Sequence, residues 1–302
     1  MEKSVILKGL TKRIGNREIV KNVNLDIYRG EVFGLLGPNG AGKTTIIRMM
    51  TGLVKPSDGE VTISGYPVGS EFEKAIARTG AVVENPEMYG FMSGLDNLVH
   101  YARMHKGISN EQINEIVKVV ELEERIKDKV KTYSLGMRQR LGLAQSLLHS
   151  PEVLILDEPT NGLDPAGIRE MREYLKRLAK EENICVIVSS HLLSEMEKMC
   201  DRVAVIHKGE CIRIEALSEL AAGKKESWFI SIEGNPETAA AILKGWAVQT
   251  DKNGIVVKTN RKNIPDCLKL LIAGDVPVFE VRPETSGTLE EEFLSITGGS
   301  TA

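Results

Sequence analysis

One stretch fixes most of what this chain can be. Residues Gly37-Pro38-Asn39-Gly40-Ala41-Gly42-Lys43-Thr44-Thr45 fit the phosphate-binding pattern G-x-x-x-x-G-K-[ST] in full. The pattern works only between a buried strand and a helix, and its neighbours supply both. Glu31-Val-Phe-Gly-Leu-Leu36 is a short apolar run that predicts a buried strand, and Thr45 to Met50 predicts a helix ending at Gly52. Glycines let successive backbone N–H groups turn inward, and the helix start adds partial positive charge, so such a loop holds a polyphosphate. Lys43 is expected to neutralise the β- and γ-phosphates and the Thr44 hydroxyl to ligate Mg²⁺. The chain is therefore expected to bind a nucleoside triphosphate.

The rest of the chain reads as alternating strands and helices around that loop. Ahead of it, Val5-Ile-Leu7 and Val23 to Tyr28, with a turn at Gly15-Asn16, predict antiparallel strands with one solvated face. After it come a turn at Pro56-Ser-Asp-Gly59, a strand Glu60–Ile63, a helix from Glu71 to Arg78 and a strand Gly80–Glu84. From Asn85 to about Thr132 the pattern is helical and polar, with Ser109-Asn-Glu-Gln112 as a capping box for a helix Ile113–Val120. A further helix starts at Ser134 and stops at Pro151. Apolar strands at Val153–Leu156 and Ile184–Val188, a helix opened by Asp164-Pro165, a helix Leu192–Met199 and a hairpin turning at Lys208-Gly209 complete the alternation. Beyond about Leu217 the pattern resets into a small α+β unit: strand Trp228–Ile232, helix Pro236–Leu243, a hairpin across Asp251 to Gly254, helix Arg261–Ile272, strand Val276–Val281 and a last helix capped by Thr288. Residues 298–302 are expected to fray.

Composition bounds the function. With 42% hydrophobic and 27% charged residues and a net charge of −3, the 302-residue chain carries no basic excess that would suit nucleic acid as an obligate partner. No apolar run reaches the roughly 18 residues a membrane-spanning helix needs, and the N-terminus has no signal-peptide core, so a cytoplasmic location is expected. The four cysteines have no C-x-x-C spacing and read as reduced residues.

Two carboxylates follow the Val153–Leu156 strand. At the carboxyl edge of a phosphate-loop sheet, Asp157 is expected to hold Mg²⁺ with Thr44, and Glu158 to act as base toward the attacking water. His191 ends the strand at Val186 to Ser190 on the same edge and suits a group that senses the γ-phosphate.

These residues carry a resemblance. Asp157-Glu-Pro-Thr-Asn-Gly-Leu-Asp-Pro165 resembles the Walker B segment and D-loop of ATP-binding cassette (ABC) ATPases, His191 matches their switch histidine, and Tyr133-Ser134-Leu135-Gly136-Met137-Arg138-Gln139-Arg140 resembles their signature sequence. The resemblance implies an α/β P-loop NTPase fold: a RecA-like core, an antiparallel β subdomain and a helical subdomain at about 85–150, together spanning 1–216. A C-terminal accessory α+β domain would span 217–302. It implies a head-to-tail homodimer holding two ATP and Mg²⁺, each nucleotide between one phosphate loop and the other subunit's Ser134 and Gly136. Hydrolysis would drive a separate integral-membrane permease of the ABC-2 type, placing the chain at the inner face of the membrane. Glu84-Asn-Pro, the signature segment and the tail from Val281 to Leu294 resemble the bacitracin and lantibiotic-resistance exporters, implying export of a peptide antibiotic or drug. A soluble ATPase of the same fold acting on the ribosome or nucleic acid is the alternative. Four positions depart from the family pattern: Ile14 stands where an aromatic stacks on adenine, Glu84 where a glutamine touches Mg²⁺, and Leu135 and Met137 replace Gly and Gln in the signature.

Overall fold

The computed structural model describes residues 2–84, 86–217, 227–251 and 253–284. The chain divides into two compact units, one ending at Leu217. Three strands of the first unit, β3 (Val32–Leu36), β7 (Val153–Leu156) and β8 (Cys185–Ser190), are buried along their whole length. Unbroken apolar runs of this kind are what a parallel sheet covered on both faces demands. With β6 (Thr79–Val82), β9 (Arg202–His207) and β10 (Glu210–Ala216) they form a six-stranded sheet in the order β10-β9-β3-β8-β7-β6. All pairs are parallel except β9–β10, the predicted hairpin.

Register decides what this sheet presents at its carboxyl edge. Leu36 pairs with Ser190, so β3 and β8 end together, and Leu156 pairs with Val188, so β7 ends two residues earlier. The phosphate loop, Asp157-Glu158 and His191 follow those three ends. Open parallel sheets bind ligands at this edge.

A second sheet is antiparallel, in the order β2 (Arg17–Tyr28), β1 (Lys3–Ile14), β4 (Asp58–Ile63), β5 (Tyr66–Pro67). Helix α1 (Lys43–Met50) lies in the core between the sheets. Its Ile46, Ile47, Met49 and Met50 share one cluster with Leu7, Ile27 and Ile63 of the antiparallel sheet and Phe33, Leu35, Ile155 and Ile187 of the parallel one. The loop is therefore mounted on a helix gripped from both sides.

Between the sheets in sequence lie α2 (Phe72–Ile76), α3 (Gly94–Ala102), α4 (Asn110–Val119) and α5 (Leu135–Leu147), followed after β7 by α6 (Pro165–Lys180) and after β8 by α7 (Leu193–Met199). Asp164 caps α6 through the Gly167 N–H, with Pro165 at its first position. Helix α5 runs close against β6: a Cβ on Gly80 would lie 2.1 Å from the Ser146 carbonyl oxygen, so this approach admits glycine alone.

Several elements differ from expectation. Strand β1 runs twelve residues rather than three, because bulges between Leu7 and Arg13 hide its alternation. Helix α2 is only five residues long. Helix α4 begins at Asn110 and its capping box is half made: the Ser109 hydroxyl accepts from the Gln112 N–H, but the Gln112 amide donates to the Leu148 carbonyl instead of returning to the cap. The full capping box belongs to Ser93 and Asp96 at α3.

In the second unit, strands β11 (Ser227–Ile232), β12 (Ala247–Asp251), β13 (Gly254–Lys258) and β14 (Val278–Glu284) form an antiparallel sheet in the order β12-β13-β11-β14. Helices α8 (Pro236–Ile242) and α9 (Ile264–Ala273) cover it, with Ile230, Leu243, Ile255, Val257, Cys267 and Leu271 as its core. The expected strand from Val276 starts at Val278, and a 3₁₀ turn at 261–263 precedes α9. The expected helix at Thr288, the frayed end and the tail beyond Glu284 lie outside the described residues, as does Asn85.

Candidate nucleotide site

The loop has the form of an anion cradle. The Gly37 N–H donates to the Ser190 carbonyl at 3.2 Å, and a Cβ there would meet the Ile206 carbonyl oxygen at 2.3 Å. Gly42 holds φ at 108° and is the N-cap of α1, so the helix has no side-chain cap and no acid in its first turn. Uncapped N–H groups and unopposed helix-dipole charge at that end favour an anion.

Lys43 is buried, and its Nζ donates to the Gly37 carbonyl at 2.7 Å and the Pro38 carbonyl at 3.3 Å. It also lies 3.4 Å from Glu158 Oε1. The other Glu158 oxygen, Oε2, lies 3.0 Å from His191 Nδ1. A carboxylate only accepts, so Nδ1 carries the hydrogen in this contact. Glu158 itself adopts φ of 50°, a left-handed conformation unusual for glutamate. The structure thus links Lys43 to Glu158 by an ion pair and Glu158 to His191 by a hydrogen bond.

Asp157 is buried one residue earlier, and its Oδ1 accepts from the Ser189 hydroxyl at 2.5 Å. Among the described residues, neither Asp157 Oδ2 nor the Thr44 hydroxyl has a hydrogen-bond partner, and no cluster of three or more His, Cys, Asp or Glu could hold a metal by itself. One carboxylate and one hydroxyl suit Mg²⁺, which prefers a few hard oxygen ligands completed by phosphate and water.

Other sequence-selected residues sit apart from these groups. Glu84 has φ of 66°, and its side chain, 60% exposed, pairs with Arg48 of α1. Arg48 lies four residues after Thr44, on the same helix face. Ile14 is exposed at the end of β1. Ser134 is the N-cap of α5, its hydroxyl accepting from the Met137 N–H at 3.3 Å. Ser134 and Gly136 line a cavity of about 560 Å³ with Arg140, Leu163 and Tyr174, and no phosphate-loop residue borders it.

Two groups escaped the sequence reading. Ser189, fully buried, also accepts from the Glu158 N–H at 2.9 Å. Glu195 of α7 accepts from the Thr160 hydroxyl at 2.5 Å and, more weakly, from Ser190 at 3.5 Å. The available signal was the pair Ser189-Ser190 closing an apolar strand, because hydroxyls buried there need partners.

The ABC transporter family pattern matches residues 20–161. An uncharacterized ABC transporter ATP-binding protein of Bacillus subtilis, YhcH, is 52% identical over 97% of this chain and 95% of its own length. The bacitracin transport ATP-binding protein BcrA of Bacillus licheniformis is 36% identical over 99% of both. Among solved structures, the dimeric post-hydrolysis ATP-binding cassette MJ0796, bound to ADP and Pi, is 29% identical, covers 70% of this chain and 98% of its own, and superimposes with a TM-score of 0.64. The chain belongs to the ATP-binding proteins of the ABC transporter family, which are ATP hydrolases.

Proposed function

We infer that this chain is the ATPase subunit of an exporter, hydrolysing ATP in a head-to-tail homodimer to drive a peptide antibiotic or drug through a separate ABC-2-type permease. Full-length similarity to a bacitracin transport protein supports the cargo class. The observation that carries the ATPase chemistry is the chain Lys43–Glu158–His191 at the mouth of the phosphate loop.

In this reading the γ-phosphate takes Lys43 and frees Glu158 Oε1, while His191 keeps the carboxylate aimed through Oε2. Water loses a proton to Oε1 as its oxygen bonds to the γ-phosphorus, the bridging P–O bond breaks, and ADP and phosphate result. Thr44 and Asp157 would hold Mg²⁺, which neutralises charge on the β- and γ-oxygens when bound. Glu84 would reach the same cation through water after leaving Arg48. Ser134 and Gly136, at the uncapped-by-acid start of α5, offer a second anion-attracting helix end. Their separation from the phosphate loop supports a site completed by another copy. Residues 1–216 would form the nucleotide-binding domain, with the helical segment at about 85–150 receiving the permease. Residues 217–302 would be accessory. Among the described residues no helix is long and apolar enough to cross a membrane, so attachment at its inner face would run through the permease.

The test is affinity purification of tagged Glu158→Gln from its native membranes with Mg-ATP. A polytopic membrane protein recovered at about one-to-one stoichiometry is expected. Ribosomal proteins or nucleic acid, with no membrane protein, would contradict the reading.

A further inference from the structure

Ser189 does two jobs with one hydroxyl. Its hydrogen goes to Asp157 Oδ1 at 2.5 Å, a charge-assisted bond, and its lone pair receives the Glu158 N–H at 2.9 Å. The side chain is fully buried, so no solvent competes for either bond. Sheet register makes this possible. Leu156 lies opposite Val188, which places the next residues, Asp157 and Ser189, side by side where β7 has ended and β8 has not. Alternation puts Ser189 on the face of Cys185 and Ile187, the face that packs on α1. Ser190, one residue on, turns to the opposite face and engages Glu195 and the Leu192 N–H.

We propose that Ser189 is a positioning residue for metal-dependent hydrolysis: its hydroxyl ties up Oδ1 of Asp157, leaving Oδ2 for the cation, and anchors the left-handed backbone of Glu158. The inference rests on the proposed roles of Asp157 and Glu158. An unanchored aspartate would share its oxygens among rotamers, and each would present the cation with a different donor. A glutamate at φ of 50° needs its surroundings to hold it. The Ser189 bond fixes its N–H, and the Asn161 N–H donates to its carbonyl at 3.0 Å. With the backbone held on both sides, the carboxylate spans Lys43 and His191. The aligned series N–H, O–H, carboxylate also polarises cooperatively, so one hydroxyl couples the backbone of the base to the orientation of the metal ligand.

The test compares Ser189→Ala, Ser189→Cys and Ser189→Thr in the full chain. Three quantities are read: binding of a fluorescent ATP analogue in EDTA, Mn²⁺ affinity of the analogue-loaded protein by electron paramagnetic resonance, and kcat with KM for Mg-ATP. In Ser189→Ala, metal-free analogue binding is expected to stay within about twofold, while Mn²⁺ binds about tenfold more weakly, the loss of one charge-assisted bond. The kcat falls by about tenfold or more at nearly unchanged KM. Ser189→Cys, similar in size but a poor donor, follows Ala, and Ser189→Thr recovers most of both losses. Wild-type Mn²⁺ affinity and kcat in a folded Ala or Cys variant would overturn the proposal, as would a loss of metal-free analogue binding equal to the loss of Mn²⁺. Asp157→Asn separates the two levels. If it leaves Mn²⁺ affinity unchanged, the metal assignment itself fails. If it weakens Mn²⁺ binding while Ser189→Ala does not, only the role of Ser189 fails.

Discussion

The carboxyl edge of the parallel sheet and the start of α5 are finished to different degrees. At the sheet edge Lys43, Asp157, Glu158, Ser189 and His191 are joined by hydrogen bonds and ion pairs of 2.5 to 3.4 Å, and Lys43 and Asp157 are buried. At the start of α5 Ser134 caps its own helix, Leu135 is 42% exposed, and the neighbouring space is an open cavity. The opposite end of α5 is anchored. The Ser146 carbonyl packs on Gly80, and His149 Nε2 lies 3.1 Å from the Thr79 carbonyl. The contrast teaches that the sheet edge is preorganised within one chain, whereas the start of α5 is left open, as the proposed pairing with a second copy would require.

The largest expected effect is at the finished edge. Glu158→Gln keeps the shape but cannot take a proton, so turnover falls by about 10²–10⁴-fold while ATP binding persists, measured by phosphate release and analogue binding. Normal turnover would remove Glu158 as the base and leave the edge without its proposed chemistry.

A smaller effect is expected from Glu195→Ala. Thr160 is buried, and losing its acceptor costs roughly 1–3 kcal/mol of stability, read from chemical denaturation. Because Thr160 precedes the cap of α6 by four residues, turnover should also drop several-fold. Unchanged stability would show that the edge tolerates a missing strut.

The smallest concerns the anchored end of α5. Burial, then the stacked His105 ring, hold the His149 pKa below the ordinary histidine range. A folded-state pKa below the unfolded one makes the unfolded chain bind more protons, so this contribution is present above about pH 6.5 and is lost as pH falls through and below that value. His149→Gln, neutral throughout and able to donate to Thr79, should lessen the fall in melting temperature between pH 7.5 and 5.5 by on the order of 2 °C. An unchanged acid profile would dismiss His149 as a contributor.

Legibility in the sequence follows distance along the chain. The strand, glycine loop and helix are a local unit, and Asp157-Glu158 and His191 each end an apolar run, so periodicity and motif sufficed to point at them. The contacts that organise the edge span 31 to 36 residues: Glu158 to Ser189, Thr160 to Glu195, Arg48 to Glu84. The first two depend on the pairing register of β7 with β8, which no single strand encodes, and the third on how α1 packs beside the end of β6. Local rules also failed where the chemistry was slightly off pattern. Ser93 forms its capping box with an aspartate instead of the usual Glu or Gln, and bulged β1 conceals a twelve-residue strand among lysines and a glycine.

The measurement that tests the contrast most directly is the mass of the Glu158→Gln chain in solution by light scattering, with and without ATP, alone and combined with Gly136→Asp. A Cβ at Gly136 meets nothing closer than Leu163 at 3.6 Å, and an acid in the first turn of α5 suits its helix dipole, so this substitution spares the fold. The account predicts that ATP doubles the mass of Glu158→Gln and that the added aspartate, facing the bound phosphates across the interface, abolishes the doubling while analogue binding to the phosphate loop remains. A dimer indifferent to Gly136→Asp, or a chain that stays monomeric with ATP fully bound, would contradict it.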